Sequence, residues 1–149
     1  AEEILPQLRR SKFTVNMDKI GWSDEELVDL FANNPDTLVL EELLYTATLV
    51  KDNETKLAVY TKATKVSPQC LRAHNNQGVV LYNMGEMEKA AAAFNAAKAI
   101  KDHDIINNNI GAIALKNGDV EAAKEAFTAS MGAGPKVNYN LGIVSIKEG

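Results

Sequence analysis

A stretch of twenty residues occurs twice in this sequence with the same placement of glycine, alanine and phenylalanine. The copies are NNQGVVLYNMGEMEKAAAAF at 75–94 and NNIGAIALKNGDVEAAKEAF at 108–127, offset by 33 residues. Self-similarity at a fixed period of about 20–50 residues is typical of proteins in which each unit packs only on its neighbours. This repeat therefore constrains the fold more than the composition does.

Each copy has the pattern of two antiparallel helices joined by a turn. Small residues at Gly78 and Ala90 let the two helices approach closely, and Phe94 fills the space between adjoining units. Gly85 tolerates the positive φ that ends the first helix, and Glu86 places an acid near the start of the next. The sequence predicts an all-α fold, an α-α superhelix of about three helix pairs plus one unpaired C-terminal helix.

The last segment, VNYNLGIVSIKEG, repeats only the first half of this unit. Gly142 and Gly149 stand seven residues apart, as do the two glycines of each complete copy. We therefore expect the full protein to continue past Gly149 with a second helix, and this chain, which begins without Met, to be a piece of it. The exposed side of the last helix would then rest on the preceding pair or be covered by a second copy of the chain.

These residues resemble the tetratricopeptide repeat family, whose pattern is W-x2-L-G-x2-Y, then A-x3-F, then P, on a period of about 34 residues. The apolar–glycine element is matched by Ile110-Gly111 and Leu141-Gly142, and the A-x3-F element by Ala90 with Phe94 and Ala123 with Phe127. The sequence departs from the family at the first aromatic position, which is occupied by His74, Asn107 and Asn138.

A weaker copy precedes the two clear ones. Pro68 stands at the family's closing proline and Tyr60 replaces the phenylalanine, but Leu44 occupies the glycine position and Lys56 the alanine position. The first helix crossing is therefore expected to be looser or slightly rotated. The predicted units are 36–68, 71–101 and 104–133, with a truncated unit at 135–149.

Residues 1–35 do not repeat, and we interpret them as an N-terminal cap on the first unit. Ser23 and Glu26 form a capping-box pattern, which predicts a short helix to about Asn33 before Asn34-Pro35 ends it. KFTVNMDKI, at 12–20, has the weak alternation of an extended segment. LRRSKFTVNMDKIGWSDEEL, with the final VNYNLGIVSIKEG, also resembles the repeat region of larger OmpA-like envelope proteins of Gram-negative bacteria, which implies a periplasmic or outer-membrane-associated location.

Several functional classes are disfavoured. The net charge of −4 and the lack of a basic run argue against nucleic acid, and no apolar run reaches the roughly 18 residues of a membrane span. Asp102, His103 and Asp104 could ligate a metal, but short polar residues at that point more often cap a helix. No nucleophile elbow or phosphate-binding loop is present, so we expect a non-enzymatic protein with no cofactor and no metal.

The fold implies a concave groove lined by the first helix of each pair, where tyrosines, amides and cations suit a peptide. The candidate peptide-binding residues are Tyr45, Arg72, Asn75, Asn76, Tyr82, Asn83, Asn108, Asn109, Lys116, Lys136, Tyr139 and Asn140. Asn76, Asn109 and Asn140 stand at a position where asparagine is frequent in the family whether or not it binds a ligand.

Two functions remain open for this groove. One is a protein–protein interaction module that holds a peptide or protein segment, and the alternative is a structural spacer of a larger envelope protein with no separate ligand. The family's clamp for chaperone C-terminal carboxylates is disfavoured, since only Asn109 and Lys136 fit it. Asn75, Val79 and Asn140 stand where that clamp has lysine, asparagine and arginine.

Overall fold

The computed structural model describes residues 21–148, and this part of the chain contains α-helices, two 3-10 turns and no strand. The 3-10 turns are Pro35–Thr37 and Met131–Ala133. The helices are α1 (Asp24–Asn33), α2 (Leu40–Leu49), α3 (Asn53–Val66), α4 (Leu71–Asn83), α5 (Met87–Ile100), α6 (Asp104–Lys116), α7 (Val120–Ala129) and α8 (Pro135–Glu148). The predicted all-α fold class is confirmed, whereas the predicted extended segment at 12–20 lies outside the described residues.

The helices pack in sequence order, each mainly on the helix before and the helix after it. α2 with α3, α4 with α5 and α6 with α7 form three hairpins, α1 packs on α2, and α8 packs on α7. The buried apolar side chains form three clusters distributed along this stack. The molecule is therefore a solenoid in which neighbouring elements bury each other's apolar faces.

The start of α1 follows the predicted capping box. The Glu26 backbone N–H donates to Ser23 Oγ at 3.3 Å, and the Ser23 N–H donates back to Glu26 Oε2 at 2.8 Å. The bond from Ser23 lowers the pKa of Glu26, because it stabilises the carboxylate form. The helix ends at Asn33, so both predicted ends of α1 are confirmed.

The glycines between paired helices have the expected backbone conformation. Gly85 has a φ of 83° and Gly118 has a φ of 84°, a backbone conformation that residues other than glycine rarely adopt. After Gly118, Asp119 Oδ1 accepts from the Ala122 N–H at 3.0 Å and caps α7. After Gly85, Glu86 makes no side-chain cap and instead forms an ion pair with Lys89 at 3.0 Å.

The helical glycines provide space for the two phenylalanine rings. A β-carbon on Gly78 would lie 2.6 Å from Phe94 Cε1, and one on Gly111 would lie 2.7 Å from Phe127 Cδ1. Both rings are almost fully buried. The sequence interpretation places these rings between adjoining units, and the structure adds that each also lies against the glycine of its own hairpin. The glycine–phenylalanine spacing therefore specifies the crossing of the paired helices.

Two of the three polar residues at the family's aromatic position bond the turn before their own helix. His74 Nε2 lies within hydrogen-bonding distance, 2.9 Å, of the Pro68 carbonyl, and Asn107 Nδ2 donates to Asp102 Oδ1 at 2.8 Å. His103 Nδ1 accepts from the Ile105 N–H at 3.2 Å and caps α6. The helix-capping interpretation of residues 102–104 is thus confirmed for His103, and no group of three or more potential metal ligands occurs among the residues the structure describes.

Candidate functional site

Eleven of the predicted site residues lie on α4, α6 and α8, and Tyr45 lies on α2. In a solenoid of helix hairpins the first helix of every hairpin lines the same surface. We call the surface lined by α2, α4, α6 and α8 the groove face. Its residues divide into those that bond each other, one that bonds α1, and those with free side chains.

Asparagine side chains on the groove face are joined from one hairpin to the next. Asn109 Nδ2 donates to Asn75 Oδ1 at 2.9 Å, and Asn75 Nδ2 donates to Asn76 Oδ1 at 3.2 Å. Asn140 Nδ2 donates to Asn108 Oδ1, also at 2.9 Å. We call these five residues the asparagine ladder. Because an amide has two N–H donors and an oxygen with two lone pairs, each ladder member keeps capacity for a further hydrogen bond.

Two cations on the groove face, Lys116 and Arg72, also have local partners. Lys116 Nζ lies 5.3 Å from the centroid of the Tyr82 ring, a cation–π contact that joins α6 to α4. Arg72 Nη2 lies 2.6 Å from Glu41 Oε1, but both side chains are more than half exposed. Exposed ion pairs stabilise folded proteins by only about 0–1 kcal/mol, so a ligand can exchange for Glu41 at low energetic cost.

Tyr45 bonds the N-terminal helix. Its hydroxyl donates to Asp24 Oδ1 of α1 at 3.0 Å. This hydrogen bond, together with the nearby negative charge, raises the pKa of Tyr45, because both favour the protonated phenol. Tyr45 therefore links α1 to α2, a contact that repeat spacing did not predict.

Three predicted residues have free side chains. Among the described residues, Asn83, Lys136 and Tyr139 make no side-chain hydrogen bond or ion pair. Tyr139 is 72% exposed and is, with Ile146 at 81%, among the most exposed large apolar side chains. The C-terminal end of the groove face is therefore the most accessible part of the predicted set.

Two cavities open on the groove face, and they differ in chemistry. The smaller, about 90 Å³, is lined by Val79, Tyr82, Phe94, Asn109 and Ala112, and is mainly apolar. We call it the apolar cavity. The larger, about 290 Å³, lies among α2, α3 and α4 and is lined by Ala47, Thr48, Asn53, Lys56, Tyr60, Asn76, Val79, Val80 and Asn83. We call it the polar cavity.

Sequence reasoning missed the contribution of α3 to this face. Asn53, Lys56 and Tyr60 lie on the second helix of their hairpin, yet all three line the polar cavity. A signal for this contribution is present in the sequence. Lys56 occupies the repeat position that is alanine in the later hairpins, where Ala90 and Ala123 are fully buried. A lysine at that position cannot be buried in the same way without a partner.

No helix of the described part of the chain has the length and apolar character to cross a membrane. The described residues instead form a stack of helical hairpins with an open polar and apolar face. This architecture and face define the class of α-helical solenoids built from helix hairpins.

Comparisons with known proteins identify the family. Tetratricopeptide repeat models match residues 57–105 and residues 106–133. The two matches are contiguous and together cover more than half of the 149-residue chain. The chain belongs to the tetratricopeptide repeat family, and the predicted resemblance is confirmed. No curated protein gives a significant match to the sequence.

Solved tetratricopeptide repeat structures share the fold. The thermophilic TPR protein TTC0263 of Thermus thermophilus matches with 21% identity and a TM-score of 0.63, covering 83% of this chain and 70% of that one. MamA matches with 14% identity and a TM-score of 0.73, covering 84% and 76%. YrrB, described as a TPR protein with an unusual peptide-binding site, matches with 17% identity and a TM-score of 0.68, covering 85% and 68%.

At these identities the structural matches establish the fold alone. The family places the chain in the broad class of protein–protein interaction modules, whose members are generally non-enzymatic. The resemblance to OmpA-like envelope proteins receives no support from these matches.

Proposed function

We propose that the groove face binds an extended peptide segment of a partner protein, without catalysis and without a cofactor. The observation that carries this proposal is the apolar cavity beside the asparagine ladder. Phe94 and Asn109, a ladder residue, both line this cavity. A small aliphatic side chain fits the cavity while the neighbouring amide bonds the peptide backbone.

The chemistry of the ladder supports backbone recognition. Asn109 uses one amide N–H on Asn75, which leaves its second N–H and its oxygen for a ligand. An extended peptide presents alternating C=O and N–H groups, which such an amide can bind as both donor and acceptor. Ala112 leaves space in the cavity because its side chain is smaller than those of Val79 and Ile143, which occupy the equivalent positions in the neighbouring repeats.

The charge on α4, α6 and α8 supports an acidic segment. On these three helices the cations Arg72, Lys116, Lys136 and Lys147 outnumber the acids Asp104 and Glu148, although α2 carries Glu41 and Glu42 and the whole chain has a net charge of −4. A local excess of cations attracts an acidic ligand and makes binding weaker at higher ionic strength.

Peptide display followed by fluorescence anisotropy tests the proposal. Random peptides are selected on the wild-type protein, and affinities are then measured for Tyr139→Ala, Lys136→Ala and Asn109→Ala. We expect each variant to lose about threefold to thirtyfold in affinity, in line with one lost polar or aromatic contact at an interface. Lys98→Ala on α5, a second helix, is the matched control and should bind as wild type does.

The outcome that contradicts the proposal is a selected peptide whose affinity is unchanged in all three groove variants. Tyr82→Ala is excluded from this test, because Tyr82 is partly buried against the core cluster around Phe94 and its loss also affects folding. Failure to select any peptide would favour the spacer alternative.

The spacer alternative rests on the pairing of groove residues with each other. Tyr45 bonds Asp24, Arg72 bonds Glu41, and the ladder amides bond one another. In that case the groove face serves to hold adjacent hairpins at a fixed angle inside a larger envelope protein. Replacing Asn75 and Asn109 together by alanine would then change stability without changing any affinity.

Two further parts of the assembly are proposals of the same kind. We propose that residues 1–35 act as a cap on repeats at 36–149, with α1 held on α2 by the buried Leu27 and by Asp24. We also propose that α8 associates with a second copy, since Ile146 and Tyr139 are among its most exposed side chains. Light scattering of wild type and of Ile146→Ser over a range of concentrations tests self-association.

A further inference from the structure

We propose that the polar cavity of the groove face binds a carboxylate group of the peptide, with Lys56 as its cationic contact. This inference rests on the proposed peptide-binding function and assigns a chemical class to one ligand group. It makes the first hairpin, whose sequence departs most from the repeat, a further part of the groove face that recognises charge.

Two departures from the repeat pattern line this cavity, and a third bears on the position of the Tyr60 ring. Lys56 replaces the buried alanine of the other hairpins, and Tyr60 replaces their phenylalanine. Leu44 replaces the glycine that admits the ring in the later hairpins, where a β-carbon would clash at 2.6–2.7 Å. The Tyr60 ring therefore cannot take the place that Phe94 takes. Its hydroxyl accepts from Asn76 Nδ2 at 3.4 Å and so lies at the cavity.

The cavity is rich in hydrogen-bond donors that have no partner. Among residues 21–147, Lys56 makes no hydrogen bond and no ion pair, and the side chains of Asn53 and Asn83 make none either. Asn76 keeps one amide N–H, and the Tyr60 hydroxyl keeps its proton. An anion with two acceptor oxygens satisfies more of these donors than a neutral ligand does.

Asp52 interacts electrostatically with Lys56, but its carboxylate bonds the start of α3. Lys56 contributes to lowering the pKa of Asp52, but the larger cause is the hydrogen bond from the Thr55 backbone N–H, at 2.7 Å, that makes Asp52 the N-cap of α3. The Asp52 carboxylate therefore caps the N-terminus of α3, while the N–H donors of Lys56 make no hydrogen bond to the described residues. Asp52 is not among the residues that line the cavity.

Lys56→Ala is an informative variant, because alanine is the residue that the repeat itself uses at this position. Peptides selected on wild type are measured with each acidic residue changed to its amide, and with a free or an amidated C-terminus. We expect Lys56→Ala to lose about tenfold or more in affinity for one carboxylate-bearing peptide. This loss should vanish when the carboxylate of the peptide is replaced by an amide. The position of the amide that abolishes the loss shows whether a side chain or the C-terminus of the peptide supplies the carboxylate.

Lys65→Ala, on an exposed turn of the same helix, removes the same charge away from the cavity and is the control. If Lys56→Ala weakens the acidic and the amide peptides equally, or neither, the carboxylate assignment is wrong while peptide binding stands. If no peptide is selected at all, titration with N-acetylglutamate provides the test. Amide shifts at Asn76 and Asn83 that disappear in Lys56→Ala support the assignment without a peptide function, and their absence in wild type overturns it.

Discussion

Replacing Gly78 by alanine tests whether the phenylalanine ring specifies the helix crossing. The added β-carbon would lie 2.6 Å from Phe94 Cε1 and 2.7 Å from Cδ1, whereas ordinary contacts are 3.4–4 Å. The ring is 1% exposed and must move by several tenths of an ångström within packed surroundings. Overpacking of this kind costs about 1–3 kcal/mol, and the better helix propensity of alanine returns about 1 kcal/mol. We expect a net loss of up to about 2 kcal/mol.

Gly142→Ala is the matched control, because Gly142 holds the equivalent position on α8. A β-carbon there would meet no atom within 4 Å. Only the propensity effect remains, so this variant should be neutral or more stable by up to about 1 kcal/mol. The same substitution is therefore expected to lower the free energy of unfolding at position 78 and to leave it unchanged or raise it at position 142.

Urea unfolding followed by circular dichroism measures the free energy of unfolding of both variants. The dependence of this free energy on urea concentration should be the same as in wild type, so that a change in the midpoint reports a change in stability. A double-mutant cycle isolates the contact: once Phe94 is alanine, Gly78→Ala should no longer destabilise, because its β-carbon enters space that the ring has left. The reasoning is refuted if Gly78→Ala and Gly142→Ala change stability equally. It also fails if Gly78→Ala costs as much with the ring absent as with it present.

The remaining predictions concern the core, the caps and the ladder. Phe127→Ala should cost about 3–5 kcal/mol in urea unfolding, as expected for a fully buried ring, and a loss below about 1 kcal/mol would contradict its placement. The pKa of Asp52 is lowered in the folded protein, so its carboxylate stabilises the fold fully at pH values above the ordinary pKa of 3.8. That contribution is lost as the pH falls through the lower folded pKa. Asp52→Asn should therefore make the melting temperature depend less on pH on the acid side. Asn75→Ala and Asn109→Ala should show non-additive losses of up to about 1 kcal/mol, because either change removes the same hydrogen bond.

The helix hairpins could be predicted from sequence because their information is local and steric. Gly78 and Phe94 stand at a fixed separation within one hairpin, and Gly85 needs a backbone conformation that other residues rarely adopt. These requirements do not depend on the rest of the chain. Their recurrence 33 residues later then gave the solenoid directly.

The contacts on the groove face could not be predicted in the same way. Spacing placed Asn75 and Asn109 on equivalent helices, but it could not show that one amide bonds the other across two hairpins. The bond from Tyr45 to α1 depends on how a non-repeating segment packs, for which the repeat pattern carries no information. The sequence shows Lys56 as a departure from the repeat, but only the structure brings it to the groove face.

The pairing of groove amides supports peptide binding as well as the spacer alternative. A side chain held by its neighbour has already lost rotamer freedom, so a ligand that bonds its remaining donor does not have to order it again. Each ladder bond contributes only about 0.5–1.5 kcal/mol to folding, which is modest for a purely structural element. Asn75→Ala, which leaves Asn109 in place but without its partner, therefore separates the two roles. Weaker peptide binding with little loss of stability would identify the ladder as a preorganised binding surface, whereas lost stability with unchanged affinity would identify a spacer.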